Sequence, residues 1–166
     1  MKRLILVRHA KSSWADPGMA DIDRPLNDRG KRDAPDMGRR LRERGVVPDL
    51  VVSSGARRAR ATARRMADEL GIDREAILVV ERLYEASVAT WLAVIGGLPD
   101  SAGTVLLVGH NPGLTELAHH LLADARIDNV PTCGVLCAEY PVRAWSAIPA
   151  SRPSAWSFDY PKNPAP

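Results

Sequence analysis

Apolar and polar positions follow two different periods along this chain, and the two alternate. Short apolar runs at 3–7, 50–53, 77–80, 104–108 and 135–140, with a weaker one at 155–160, read as strands. Between them the apolar residues recur at helical spacing. Ala59, Ala63, Met66, Ala67 and Leu70 form one stripe, closed by Gly71. Val88, Trp91, Leu92 and Ile95 form a second, with Ser87 as amino-terminal cap and Gly96 and Gly97 as the stop. Leu114, Leu117, Ala118, Leu121 and Leu122 form the cleanest. A further helix is predicted over 27–45, capped by Asn27, with Ala34, Met37, Gly38 and Leu41 on one face. Pro35 falls inside it and predicts a kink or a division. Strands alternating with helices imply an α/β fold, a three-layer α/β/α sandwich with a mostly parallel central sheet. The polar segment 12–25 has no period and reads as a loop folded over the mouth of a site.

Composition narrows the class. The 166 residues fit one domain, placed at 1–161, followed by a proline-rich tail at 162–166 that holds no regular element. An apolar fraction of 45% and a charged fraction of 26% are those of a globular protein, and disorder is disfavoured. The apolar runs are too short to span a bilayer, and MKR leads straight into a strand without a cleavage site. A cytoplasmic location is the default, with no membrane partner. Cys133 and Cys137 are four apart on a predicted strand, about 13 Å between Cα atoms, which forbids a disulfide and predicts reduced, packed thiols. The net charge is only +3, but the arginines cluster, which favours an anionic ligand.

Three segments carry candidate chemistry. LILVRH, at 4–9, delivers Arg8 and His9 at the carboxyl end of the first strand, the edge where ligands sit in open α/β sheets. LLVGHNPG, at 106–113, ends a second strand with His110 and a tight turn. SSGARRARATA, at 53–63, runs from a strand into a helix and places Arg58 in its first turn, where free backbone amides favour an anion. A neutral imidazole can attack phosphorus, which makes His9 the candidate nucleophile. Guanidinium forks match phosphoryl oxygens, and a protonated His110 would add a third donor. Two arginines and one imidazolium would neutralise a phosphoryl group with no metal or cofactor. Arg57, Arg60, Arg64 and Arg65 read as a solvated basic face. A nucleic-acid partner is disfavoured, since aromatics are only 5% of the chain and no stacking platform accompanies the arginines. His119 and His120 fall on the polar side of their helix and read as exposed and without a role.

At these residues the chain resembles the histidine phosphatase superfamily, which includes cofactor-dependent phosphoglycerate mutases and acid phosphatases. LVRHA is similar to the RHG signature, SSGARRARATA to the serine-to-arginine-to-threonine segment, and VGHNPG to the second histidine motif. RHAKSSW, DRPLNDRGKRDA, LYEA and FDYPK look most like the short, SixA-type phosphohistidine phosphatases of branch 1, the phosphoglycerate mutase-like branch. The resemblance implies His9 as nucleophile and Arg8, Arg58 and His110 as the phosphate pocket, to which Ser12 and Asn111 are added. Glu85 is the carboxylate nearest the place of the mutase-like general acid, with Asp16, Asp21 and Asp23 as weaker candidates. Ala10 departs from the usual glycine, Ala15 from a frequent asparagine, and GHN lacks the aspartate of the phytase-like branch. An alkoxide leaving group needs an enzyme proton, whereas the imidazole of a protonated phosphohistidine does not. The reading is therefore a metal-independent phosphatase with a phosphohistidine intermediate, acting on protein phosphohistidine. A small-molecule phosphomonoesterase, a mutase and a non-catalytic phosphate-binding module are the alternatives. The pattern specifies no oligomeric state.

Overall fold

The computed structural model describes residues 1–164. Six strands form one sheet: β1 (Lys2–Arg8), β2 (Leu50–Ser53), β3 (Leu78–Val79), β4 (Thr104–Gly109), β5 (Val135–Tyr140) and β6 (Ala155–Asp159). Their order is β3-β2-β4-β1-β5-β6. β1, β2, β3 and β4 are mutually parallel, and β5 alone runs against the rest because it pairs antiparallel with both β1 and β6. The sheet is thus mostly parallel.

Side-chain alternation along β1 sorts the core into two layers. Ile5 and Val7 pack with Ala34, Met37, Ala63 and Met66 of α1 (Asp28–Glu43) and α2 (Arg57–Leu70). Leu4 and Leu6 pack on the other face with Trp91, Ile95, Leu114 and Leu117 of α3 (Val88–Gly96) and α4 (Gly113–Leu121). The result is the expected three-layer α/β/α sandwich.

Most predicted helix boundaries hold for the predicted reasons. Asn27 Oδ1 accepts from Gly30 N at 2.9 Å, Ser87 accepts from Thr90 N, and Gly71 closes α2 at φ 71°. Pro35 does not divide α1, which continues unbroken through 16 residues. Its buried face, Gly30, Ala34, Met37, Gly38 and Leu41, is so close to α2 that a Cβ on Gly38 would lie 3.0 Å from Met66 Cα. This packing outweighs the hydrogen bond that proline removes, a penalty of about 3 kcal/mol.

Cys133 corrects another expectation. It lies ahead of β5 rather than on it, in a left-handed conformation at φ 60°, and its N–H donates to the carbonyls of Arg8 and His9 at 3.0 and 3.1 Å. Both thiols are nonetheless free. Of the tail predicted at 162–166, residues 165–166 lie outside the described residues. The part described forms no regular element, but Arg40 ties it down, donating to the carbonyls of Tyr160, Pro161 and Asn163 at 3.0–3.2 Å. No helix among the described residues is long and apolar enough to cross a membrane.

Candidate active site

Strand register brings the two motif histidines together. Arg8 pairs with Gly109 across β1 and β4, so His9 and His110, each one residue further on, leave the sheet side by side with ring centroids 5.0 Å apart. His9 N also donates to Gly109 O at 3.0 Å. On the His9 ring, Nδ1 lies 2.7 Å from Ala10 O. A carbonyl only accepts, so Nδ1 carries the hydrogen and Nε2 keeps its lone pair. Ala10 is held in turn: its N–H donates to Thr62 Oγ1 at 2.9 Å, and that hydroxyl donates to Arg58 O at 2.8 Å. Burial pushes the His9 pKa down to about 3. The Ala10 bond opposes that shift, while His110, Arg58 and Arg8 add to it. The ring is neutral at physiological pH.

His110 is oriented by a residue the sequence reading did not single out. Its Nε2 lies 2.6 Å from Ser54 Oγ, itself fully buried. Ser54 Oγ also accepts from Ala56 N at 3.3 Å, and among the described residues its hydroxyl has no acceptor other than Nε2, so it donates there and His110 bears its own hydrogen on Nδ1. Burial, and next to it the charge on Arg58, hold the His110 pKa down at about 4. The expected imidazolium is therefore a neutral imidazole here, which still donates through Nδ1. Asn111, predicted to contact phosphate, has its amide engaged in the turn. Nδ2 donates to Asn129 Oδ1 and Val130 O, and Oδ1 accepts from Thr115 N and Oγ1.

The arginines complete the cluster. Arg58 is only 5% exposed and donates to Asp21 twice, Nη1 to the carbonyl at 2.7 Å and Nη2 to the carboxylate at 2.9 Å. Arg8 donates to Val130 O at 3.1 Å, and burial lowers its pKa. Six buried side-chain polar atoms among the described residues lack a protein partner, and three of them are Arg8 Nε, Arg58 Nε and His110 Nδ1. All three are N–H donors on residues assigned to one pocket from sequence. Buried donors left unpaired are costly, and an oxyanion would satisfy this set.

An open cleft of about 630 Å³ reaches Arg58 and His110, with Trp14, Asp21, Tyr84 and Glu85 also on its walls, whereas His9 and Arg8 are not among its wall residues. The loop 12–25 does fold over it, since Trp14, Asp21 and Arg24 all line the cleft. Asp21 is held as an ionised acceptor. The Tyr84 hydroxyl, Arg58 and Arg24 all donate to it and hold its carboxyl well below the usual carboxylate range, and Tyr84 is pushed up to about 12 in return. Ser12, the first residue of the loop, is buried and not on the cleft wall, and its Oγ accepts from Arg24 Nη1 at 2.7 Å. Glu85 does reach the wall, exposed and in a left-handed conformation at φ 56°. Asp16 and Asp23 do not line the cleft.

The supporting residues Ser54, Thr62 and Tyr84 lie within the quoted segments SSGARRARATA and LYEA, but the sequence assigned them no role. Only Thr62 left a usable signal, four residues after Arg58 on α2, where its hydroxyl can reach back to the Arg58 carbonyl. His119 is exposed as expected but not idle, since Nε2 bonds the Ile127 carbonyl. Of the basic face, Arg57 and Arg64 are exposed whereas Arg60 and Arg65 are half-buried. Among the described residues no three His, Cys, Asp or Glu side chains meet as a metal cage.

Comparison with known proteins agrees with this geometry. Residues 4–95 match the histidine phosphatase superfamily (branch 1). An uncharacterized chloroplastic protein of Arabidopsis thaliana is 33% identical over 95% of this chain and 76% of its own length. An uncharacterized Mycobacterium tuberculosis protein is 43% identical over 68% of this chain and 67% of its own. Among solved structures, a protein assigned as the phosphohistidine phosphatase SixA of Agrobacterium tumefaciens superposes with a TM-score of 0.77 at 30% identity, covering 95% of this chain and 94% of that one. With both motif histidines, the two arginines and the phosphoglycerate mutase-like sandwich in place, the chain belongs to branch 1 of the histidine phosphatase superfamily and, within it, to the SixA type.

Proposed function

We propose that this phosphatase works through a phosphohistidine intermediate on His9 and that its substrate is protein phosphohistidine. One observation carries the reading: a neutral imidazole with a free Nε2 lone pair lies 5.0 Å from the His110 ring and within reach of the charges of Arg58 and Arg8, and each of those three residues keeps a buried N–H without a protein partner. The lone pair is the nucleophile, and the donors match the oxygens of a phosphoryl group in the transition state. In the first step Nε2 bonds to phosphorus as the bond to the leaving group breaks, with Arg8, Arg58 and His110 holding the oxygens. In the second, water adds to phosphorus, the P–N bond breaks with its electron pair returning to Nε2, and the departing phosphate takes the protons of the water. The two guanidinium groups balance the charge and His110 adds a neutral N–H donor, without a metal. A protonated phosphohistidine loses a neutral imidazole in the first step and needs no acid. This suits a cleft in which Asp21 accepts from Tyr84, Arg58 and Arg24 and is held in its ionised form.

Glu85 supports the second reading, hydrolysis of small phosphomonoesters, because it is a wall carboxylate without an ion-pair partner among the described residues, at the place of the mutase-like general acid, from which it would protonate an alkoxide. Side-by-side hydrolysis of phosphohistidine protein, sugar phosphates and phosphoglycerates, repeated with Glu85→Gln, separates the two. The proposal expects the highest kcat/KM on phosphohistidine, with the Glu85→Gln loss confined to alcohol esters. Higher kcat/KM on an alcohol ester, with equal losses on every substrate, would establish the second reading instead. Transfer to added phosphoglycerate would mark a mutase.

A further inference from the structure

The outer part of the cleft differs in charge from its interior. Trp14 is the large exposed hydrophobic on the cleft wall, 72% accessible. It stacks on Arg24, whose guanidinium carbon lies 3.6 Å from the ring centroid. Arg24 is itself 7% exposed and fixed by Asp21, Ser12 and the Ser13 carbonyl. The indole therefore has a rigid backing while most of its surface stays in water, and the positive charge of Arg24 is covered. Asp21, the ion-paired carboxylate of the cleft, is balanced by Arg58. Two further carboxylates line the cleft: Glu85, and Glu116 in the first turn of α4. Both are exposed and without an ion-pair partner among the described residues. A cationic floor is thus bordered by an anionic and aromatic rim.

From this arrangement we infer that the rim selects phosphoryl groups carried on a basic polypeptide segment, with Glu116 as the charge-selecting residue and Trp14 as the platform beneath the flanking residues. The inference rests on the phosphatase reading above and deepens it. Exposed lysine or arginine next to the phosphorylated residue meets unpaired carboxylates, and tryptophan with arginine backing is a composition enriched at the centres of protein interfaces. Phosphoglycerates, whose extra carboxylate would face Glu85 and Glu116, are disfavoured by the same field.

Four peptides test this: phosphohistidine and phosphoserine versions of one sequence, each flanked by lysines or by glutamates. At low salt the wild type should favour the lysine-flanked member of each pair by about two- to fivefold in kcat/KM, the range of one exposed charge pair, mainly through KM. Added salt should shrink that ratio. Glu116→Lys should abolish or invert the ratio while leaving turnover of a small aryl phosphate within about twofold. Trp14→Ala should raise KM for all the peptides and not for the aryl phosphate. Equal rates within each pair, an unchanged ratio in Glu116→Lys, or peptides that neither react nor compete with the aryl phosphate would overturn the inference. The comparison across pairs tests phosphohistidine specificity separately, so a failure of the substrate reading is distinguishable from a failure of the rim.

Discussion

Ser54→Ala is the most revealing single perturbation, because it alters the candidate site without touching any residue assigned to it from sequence. The hydroxyl is fully buried, lies 2.6 Å from His110 Nε2 and accepts from Ala56 N. Deleting it leaves a ring nitrogen and a backbone N–H without partners, a cost of about 1–3 kcal/mol in stability. The effect on catalysis follows from the hydrogen position. With Ser54 donating to Nε2, the His110 hydrogen stays on Nδ1, the atom that lacks a protein partner. A hydrogen bond from this group to a charged phosphoryl oxygen is worth about 1.5–3 kcal/mol, so loss of orientation should lower kcat/KM by roughly ten- to a hundredfold. The assay is aryl phosphate hydrolysis by Ser54→Ala, His110→Ala and the double variant, with thermal unfolding followed in parallel. If Ser54 acts through His110, the double variant is no slower than His110→Ala. Additive losses, or a Ser54→Ala enzyme with full kcat/KM, would refute the reasoning.

Three other outcomes follow from the same geometry. His9 and His110 have folded-state pKa values near 3 and 4, below the ordinary value of 6.5, so the unfolded chain binds more protons in between. Stability should then be complete above about pH 6.5 and fall as pH drops towards 4, by up to about 1.4 kcal/mol per pH unit per histidine. Urea titrations across that range check it, and a flat profile would contradict it. Thr62→Val should cost about 1–3 kcal/mol, because Ala10 N loses its buried acceptor, and denaturant midpoints would show the loss. Gly109→Ala would place a Cβ 2.3 Å from Trp91 Cζ2 at the end of β4. It should destabilise by about 1–3 kcal/mol and lower activity by displacing His110, as calorimetry and turnover would together show.

What could be read from sequence was whatever is local or periodic. The strands and helical stripes, the Asn27 and Ser87 caps and the Gly71 stop depend on neighbours within a turn or two, and the structure has them in place. The gathering of Arg8, His9, Arg58 and His110 in one place was legible because strand ends in a parallel sheet share one edge. Interactions set by tertiary proximity were not legible. Ser54 reaches His110 across 56 positions, Asp21 holds Arg58 across 37, and Asn111 closes its own turn against Asn129 and Val130. That α1 runs undivided through Pro35 was not legible for the same reason, since the close fit of α1 on α2 is absent from any local pattern. That Cys133 stands two residues ahead of β5 and not on a strand was not legible, because the left-handed residue there is a cysteine and not the glycine or asparagine that would announce it.

The central claim is that His9 takes the phosphoryl group. Rapid mixing with a labelled phosphoryl donor, an alkaline quench that preserves phosphohistidine, and peptide mapping would locate the label. The account predicts one labelled peptide, that containing His9, and no label in His9→Ala, which should remain folded and lose turnover. Label on the His110 peptide, or undiminished hydrolysis by His9→Ala, would contradict it.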